Sequence, residues 1–169
     1  MKRNNALLQI LMMALALLAF AWPQGSAKAA DARRTLKVKL NYTGAGVVDE
    51  KHKIYVMLFD ANPYKATSLV DATSLATPPA PAEGVSHILA RQGAAGKDKT
   101  VTFRELNASP VYAAAFFDRN GTYDGHADAV SGAPMGVYGK LPDKLEPIKI
   151  KQGKTVQVVL SFDDSSKSP

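Results

Sequence analysis

Short runs in which apolar and polar residues alternate recur along this chain, and no segment keeps an apolar helical period over three turns. Alternation puts successive side chains on opposite faces, so each run reads as a strand with one face buried and one solvated. In Thr35–Tyr42, Leu36, Val38 and Leu40 alternate with Lys37, Lys39 and Asn41; in Thr155–Phe162, Val156, Val158, Leu160 and Phe162 share one side. Two runs are apolar on both sides. Lys53–Asp60 contains Ile54 to Phe59, and Val111–Asp118 sets Val111, Ala113, Ala115 and Phe117 against Tyr112, Ala114 and Phe116. Strands of that kind need cover on both faces. Shorter candidate strands lie at Val85–Arg91, Thr100–Arg104 and Glu146–Lys151, and Leu69–Leu75 has room for a short helix.

Turn formers separate these runs at Gly44 and Gly46, Asn62-Pro63, Asn107 to Pro110, Pro142-Asp143 and Gln152-Gly153. The pattern predicts an all-β domain: a single β-sandwich of about seven strands over residues 30–162, with a small closed barrel as the alternative. Thr77–Glu83 and Gln92–Asp98 are expected to be mobile loops, and Asp163–Pro169 a flexible tail.

The sandwich is preceded by what reads as a signal peptide at 1–29. Lys2 and Arg3 start it, Ala6 to Trp22 is apolar apart from Gln9, and Pro23 and Gly25 end that run. Ala27 and Ala29 supply the small residues a signal peptidase needs, so cleavage is expected after Ala29. The alternative, an uncleaved anchor, suits the segment poorly, because a spanning helix wants about 20 apolar residues. No membrane span is expected after cleavage. Its loss removes Lys2, Arg3 and Lys28 and no acid, lowering the net charge from +6 to +3. That charge, without interleaved aromatic residues, gives no footing for nucleic-acid binding. Lys37 and Lys39 are read as the solvated face of a strand, placed where lysine discourages edge pairing. The chain has no cysteine, which excludes disulfides, thiolate metal sites and a cysteine nucleophile.

The densest polar segment runs F-F-D-R-N-G-T-Y-D-G-H-A-D from Phe116 to Asp128. Asp118, Asn120, Thr122, Asp124 and Asp128 offer closely spaced oxygens, and Gly121 and Gly125 let the chain curl around a point. Calcium takes about six to eight such ligands, so these five residues are a candidate calcium site. Against an EF-hand loop the glycine falls at position four instead of six, and Ala129 stands where a bidentate Glu belongs. A polar turn, with Asp118 and Asn120 bonding to loop amides, is the other reading. His126, Asp128 and Met135 form a thinner transition-metal set.

The run V-Y-A-A-A-F-F-D-R-N-G-T-Y-D-G, with S-G-A-P-M-G-V-Y-G at 131–139, resembles a family of bacterial secreted domains of unknown function. Its pattern is Y-A-x-x-x-x-x-D-x-N-G, a later Asp, and a G-x-P segment ending near an aromatic-Gly pair. Tyr112, Ala113, Asp118, Asn120, Gly121, Asp124, Gly132, Pro134, Tyr138 and Gly139 match it; Phe117 departs from it, and the loop is poorer in Asn and acid. The resemblance spans about 30 residues. It implies a prealbumin-like or immunoglobulin-like sandwich in the periplasm or outside the cell.

No enzyme motif appears. Ser86 and His87 are adjacent, so on a strand they point to opposite faces and cannot form a nucleophile–base pair. There is no G-x-S-x-G, H-E-x-x-H or phosphate-cradling glycine loop. A transthyretin-like hydrolase, which would share the fold, lacks its H-R-G-S-type histidine cluster and C-terminal Y-R-G-S here. Tyr55, Met57, Phe59, Tyr112 and Phe116, with Tyr138, mark a candidate groove for a small apolar ligand or an extended peptide, unless residues 119–145 fold over it with Met135, Val137 and Tyr138 as a lid. The expectation is a secreted, non-enzymatic binding module, periplasmic or extracellular, whose partner is either an envelope or extracellular molecule or a small apolar ligand, with calcium as its one candidate cofactor. The alternative is a structural or assembly protein of the cell envelope whose polar loop binds nothing.

Overall fold

The computed structural model describes residues 33–72, 82–126, 129–140 and 144–168. The candidate leader at 1–29, residues 77–81 of the expected proline-rich loop, and Asp128 lie outside the described residues.

Each long alternating run forms a strand close to its expected bounds: β1 at Arg34–Tyr42, β2 at Ile54–Phe59, β3 at Ser68–Asp71, β4 at Val85–Ala94 and β5 at Thr100–Leu106. They are followed by β6 at Tyr112–Phe117, β7 at Met135–Val137, β8 at Gly139–Lys140, β9 at Lys144–Leu145 and β10 at Thr155–Phe162. The described residues are all-β apart from a single 3-10 turn at Pro63–Lys65. A three-stranded sheet has the order β10-β1-β5, a five-stranded sheet the order β3-β4-β2-β6-β7, and β8 and β9 form a small ribbon.

The first and last strands pair in parallel, from Thr35 opposite Thr155 to Tyr42 opposite Phe162. β1 is therefore central to its sheet, with β5 antiparallel on its other side. This corrects one role expected for Lys37 and Lys39: they lie on a central strand and protect no edge. Lys39 Nζ instead bonds to the Asp98 carbonyl.

Alternation then decides which side chains meet. Leu36, Val38 and Leu40 of β1, Phe103 of β5 and Leu160 of β10 face Ile54, Val56 and Leu58 of β2 and Ala113, Ala115 and Phe117 of β6. All eleven are buried, and each larger aliphatic or aromatic side chain contributes about 1.5–3 kcal/mol by leaving water. The two sheets thus share one core in a sandwich-like arrangement. They approach tightly where β7 meets β10: a Cβ on Gly136 would lie 2.5 Å from the Phe162 Cβ and 2.9 Å from Leu160 Cδ2. No side chain fits there without moving a strand.

Several local expectations are corrected. Ser68–Asp71, inside or beside the segment read as a helix, is an edge strand parallel to β4; Thr73 to Leu75 lie outside the described residues. Gln92 to Ala94, expected in a loop, continue β4 opposite Val56 to Ile54. Glu146–Lys151 is not a strand, and its Ile148 makes only an isolated bridge to Val111. Sequence alternation overestimated this segment because Ile148 and Ile150 bury their side chains without a continuous ladder.

The segment expected to be a flexible tail is held by hydrogen bonds. Ser168 N–H donates to Ala133 O, Ser168 O accepts from Gly132 N–H, and Ser166 O accepts from Met135 N–H. Asp164 accepts from the Tyr42 hydroxyl and, at 3.0 Å, from the Ala45 amide, while Arg119 pairs with it at 2.6 Å. A tail of short polar residues is anchored here because its carboxylate and carbonyls find donors on two loops.

These contacts hold the Asp164 carboxyl at about 2, below its ordinary 3.8, with the Tyr42 hydrogen bond the largest cause, then the Ala45 amide and the Arg119 charge. The depressed value favours the folded state at pH above about 3.8, and that contribution is lost as pH falls toward about 2. Melting temperatures measured from pH 5 to pH 2 are expected to fall less steeply for Asp164→Asn than for the wild type. Parallel acid limbs would show that the carboxylate's charge does not link the tail to these loops.

Candidate functional site

β2 and β6 are apolar on both sides, so the face turned away from the shared core must also be covered. Met57, Phe59, Ile88, Ala114, Phe116, Met135 and Val137 lie on it with Tyr123, Ala133 and Leu145, forming a second buried cluster. Tyr55 and Tyr112 are partly buried against the same cluster.

The cover is uneven. At one end Phe116 stacks on Tyr55 with ring centroids 5.7 Å apart, and Tyr123 closes edge-on at 4.6 Å from Tyr55 and 4.8 Å from Phe116. Three rings fill this end, so Phe116, fully buried, borders no groove there. Tyr138 is also corrected: it packs against the main core, on the opposite side of the sheet. Met135 and Val137 do not act as a lid either. They stand opposite Phe116 and Ala114 in the β6–β7 ladder and widen the same face. Tyr112 borders a separate, open depression with Asp60, Lys65 and Pro110.

At the other end a cavity of about 280 Å³ remains, lined by Met57, Phe59, Pro63, Tyr64, Leu69, Ile88, Ala114, Ala129 and Met135. Its origin is local. Ala114 has only a methyl group where its neighbours carry longer side chains, which leaves space above the sheet. The segment after β2 then turns back over that space. The Asn62 side chain caps the 3-10 turn by accepting from Tyr64 N–H at 3.0 Å, and Pro63 sets the backbone angle at the first position. Tyr64 is swung inward, and its hydroxyl donates to Met135 Sδ at 3.1 Å. Burial raises the Tyr64 pKa above 10, so the hydroxyl keeps its proton at ordinary pH. Leu69 stands at the mouth, 38% exposed, on β3.

An arginine fastens this roof. Arg91 on β4 pairs with Asp71 Oδ1 at 2.6 Å, tying β4 to the end of β3. Burial raises the Tyr123 pKa while the nearby Arg91 charge lowers it.

The polar loop does a different job. The Asp118 carboxylate is buried and accepts three amides: Gly121 N–H at 3.0 Å, Thr122 N–H at 3.3 Å and Tyr123 N–H at 2.9 Å. Gly121 takes a positive φ of 65°, which lets the chain turn tightly enough to aim those amides inward. The carboxylate thus organises the loop that delivers Tyr123 to the aromatic cluster. Asn120, Thr122 and Asp124 are exposed, and Asp124 accepts from His126 N–H at 2.9 Å. Asp128, the fifth residue of the candidate calcium set, lies outside the described residues. Among the described residues no group of three or more His, Asp or Glu is placed to hold a metal ion.

Ser86 and His87 take the separate environments their strand positions imply. Ser86 is buried and donates to Ala61 O at 2.9 Å, while His87 Nδ1 pairs with Asp60 Oδ2 at 2.7 Å. Of the predicted groove, Met57 and Phe59 line the cavity. Tyr64, Leu69 and Ile88 were not anticipated; Asn62-Pro63 signalled a turn, but no sequence pattern says what a turn will swing across a sheet. Among the described residues, no helix is long and apolar enough to cross a membrane. Comparison of the chain with protein-family models, curated proteins and solved structures found no match.

Replacing Asp118 by Ala leaves three inward-facing amides without an acceptor and is expected to cost about 2–4 kcal/mol. Urea unfolding with and without millimolar calcium checks this. The loss is expected in both, and a wild-type midpoint that rises with calcium would mean the loop rearranges to bring its oxygens onto a cation.

Proposed function

We infer that this chain is an exported, non-enzymatic β-sandwich binding module that holds a small apolar ligand in the cavity beneath Tyr64. The observation carrying the reading is that cavity of about 280 Å³ between β2, β4, β6 and the Pro63–Leu69 segment, lined almost wholly by apolar side chains. Apolar cavities of about 150 Å³ stay dry and admit benzene, and drug-sized ligands fill about 300–1,000 Å³. The space therefore suits one substituted ring or a short branched alkyl group. Two thioethers in its wall, from Met57 and Met135, adapt to irregular shapes and favour aromatic rings. The absence of chemistry is supported by the separation of Ser86 from His87, each bonded to a different partner. Export to the periplasm or beyond rests on the basic, apolar and small-residue order of 1–29.

Two measurements test this. Expressed with its own leader in a bacterial host, the protein is expected in the periplasm or medium with an intact mass beginning at Ala30; a full-length mass in the cytoplasm would refute export. For the cavity, Met57 and Met135 are the methionines beyond residue 29, so carbon-13 methyl labelling gives each a resonance on the cavity wall. Titration with α-methylstyrene is expected to shift both saturably, with a dissociation constant on the order of 0.1 mM. Ala114→Leu is expected to fill the space and weaken binding at least about tenfold. Shifts that never saturate, or that persist unchanged in folded Ala114→Leu, would overturn the assignment.

A further inference from the structure

The cavity wall carries a polar atom whose present partner is a poor one. The Tyr64 hydroxyl donates to Met135 Sδ at 3.1 Å, and a thioether sulfur is a weak acceptor. Tyr64 and Met135 both line the cavity, and Met135 is 5% exposed, so this pairing sits against otherwise apolar walls. A neutral phenol gains by exchanging this weak sulfur acceptor for an oxygen acceptor, which makes the stronger hydrogen bond. The other cavity side chains (Met57, Phe59, Leu69, Ile88 and Ala114 among them) offer no competing donor.

Resting on the binding reading above, we propose that the cavity selects ligands joining a ring-sized apolar body to one uncharged oxygen acceptor, a ketone, aldehyde, ester or ether, which takes the Tyr64 hydroxyl from Met135. An acid would fit badly: the walls bring no cation to a buried carboxylate, whose desolvation would go uncompensated. An alkane or arene fits the space but leaves the hydroxyl on its sulfur. Specificity then comes from a single directed hydrogen bond in an apolar-lined pocket, the usual division of labour in small-molecule sites.

The test compares two molecules of nearly equal shape, acetophenone and α-methylstyrene, which differ by an oxygen in place of a methylene. Their dissociation constants are measured by the methionine-methyl titration on wild type, Tyr64→Phe and Met135→Leu, and the readout is the ratio of the two affinities in each protein. Tyr64→Phe is expected to reduce the preference for acetophenone about three- to tenfold, the usual worth of one such hydrogen bond. Met135→Leu removes the internal acceptor and is expected to move the ratio the opposite way, increasing the preference for acetophenone. The same ratio in wild type and Tyr64→Phe, with both compounds binding, would overturn the proposal while leaving the cavity a binding site. Binding of neither compound at millimolar concentration would remove the cavity as a site, and the proposal with it.

Discussion

The structure depends on the pairing of β2 with β6, two strands that are apolar on both sides. A sheet built around them has no solvated face to offer, so the chain must supply two covers. The three-stranded sheet provides one, and its fit is close enough that Gly136 has no room for a side chain beside Phe162 and Leu160. Loops provide the other, and loops cover unevenly. Where Tyr123 is carried in on the Asp118 turn the rings pack tightly. Where the cover is Tyr64 on a short 3-10 turn, space is left over. The proposed site is therefore a by-product of geometry: irregular backbone, laid across a regular surface, meets it at some points and stands clear at others.

The long strands were legible because their evidence is local. Leu36, Val38 and Leu40 alternate with polar residues, and the pleat turns that order directly into an inside and an outside. The faces of β2 and β6 were separable for the same reason: Tyr55, Met57 and Phe59 fall together, as do Tyr112, Ala114 and Phe116. What escaped was set by distant partners. β7 to β9 are two or three residues long, too short for a period, and exist because β6 or a neighbouring ribbon strand offers hydrogen bonds. Tyr138 was placed on the wrong side because it was grouped with Met135 and Val137, although alternation sends the residue after Val137 to the other face. The Leu69 strand was misread because its residues look helical, while its ladder partner is seventeen residues away, Ser86 opposite Leu69.

The Asp118 turn shows how one composition serves different ends. Closely spaced Asp, Asn and Gly give oxygens to a cation or acceptors to backbone amides, and sequence alone does not choose between them. In the fold the buried carboxylate is already served by three N–H groups of its own loop. Those bonds fix the entry angle of Tyr123, so the polar turn and the aromatic cluster are one mechanical unit. The tail behaves similarly: the Asp164 carboxylate bonds to Tyr42, Ala45 and Arg119 and so joins the C-terminal segment to two other parts of the chain.

The parallel pairing of the first and last strands also sets a timetable. β1 is finished on the ribosome by residue 42, yet its neighbour β10 runs from Thr155 to Phe162. At about 5–20 residues per second, β1 waits on the order of ten seconds for its partner. Until then its buried side chains lack half their sheet, and the core has no closed wall on that side. Closure of the three-stranded sheet is thereby postponed to the end of synthesis.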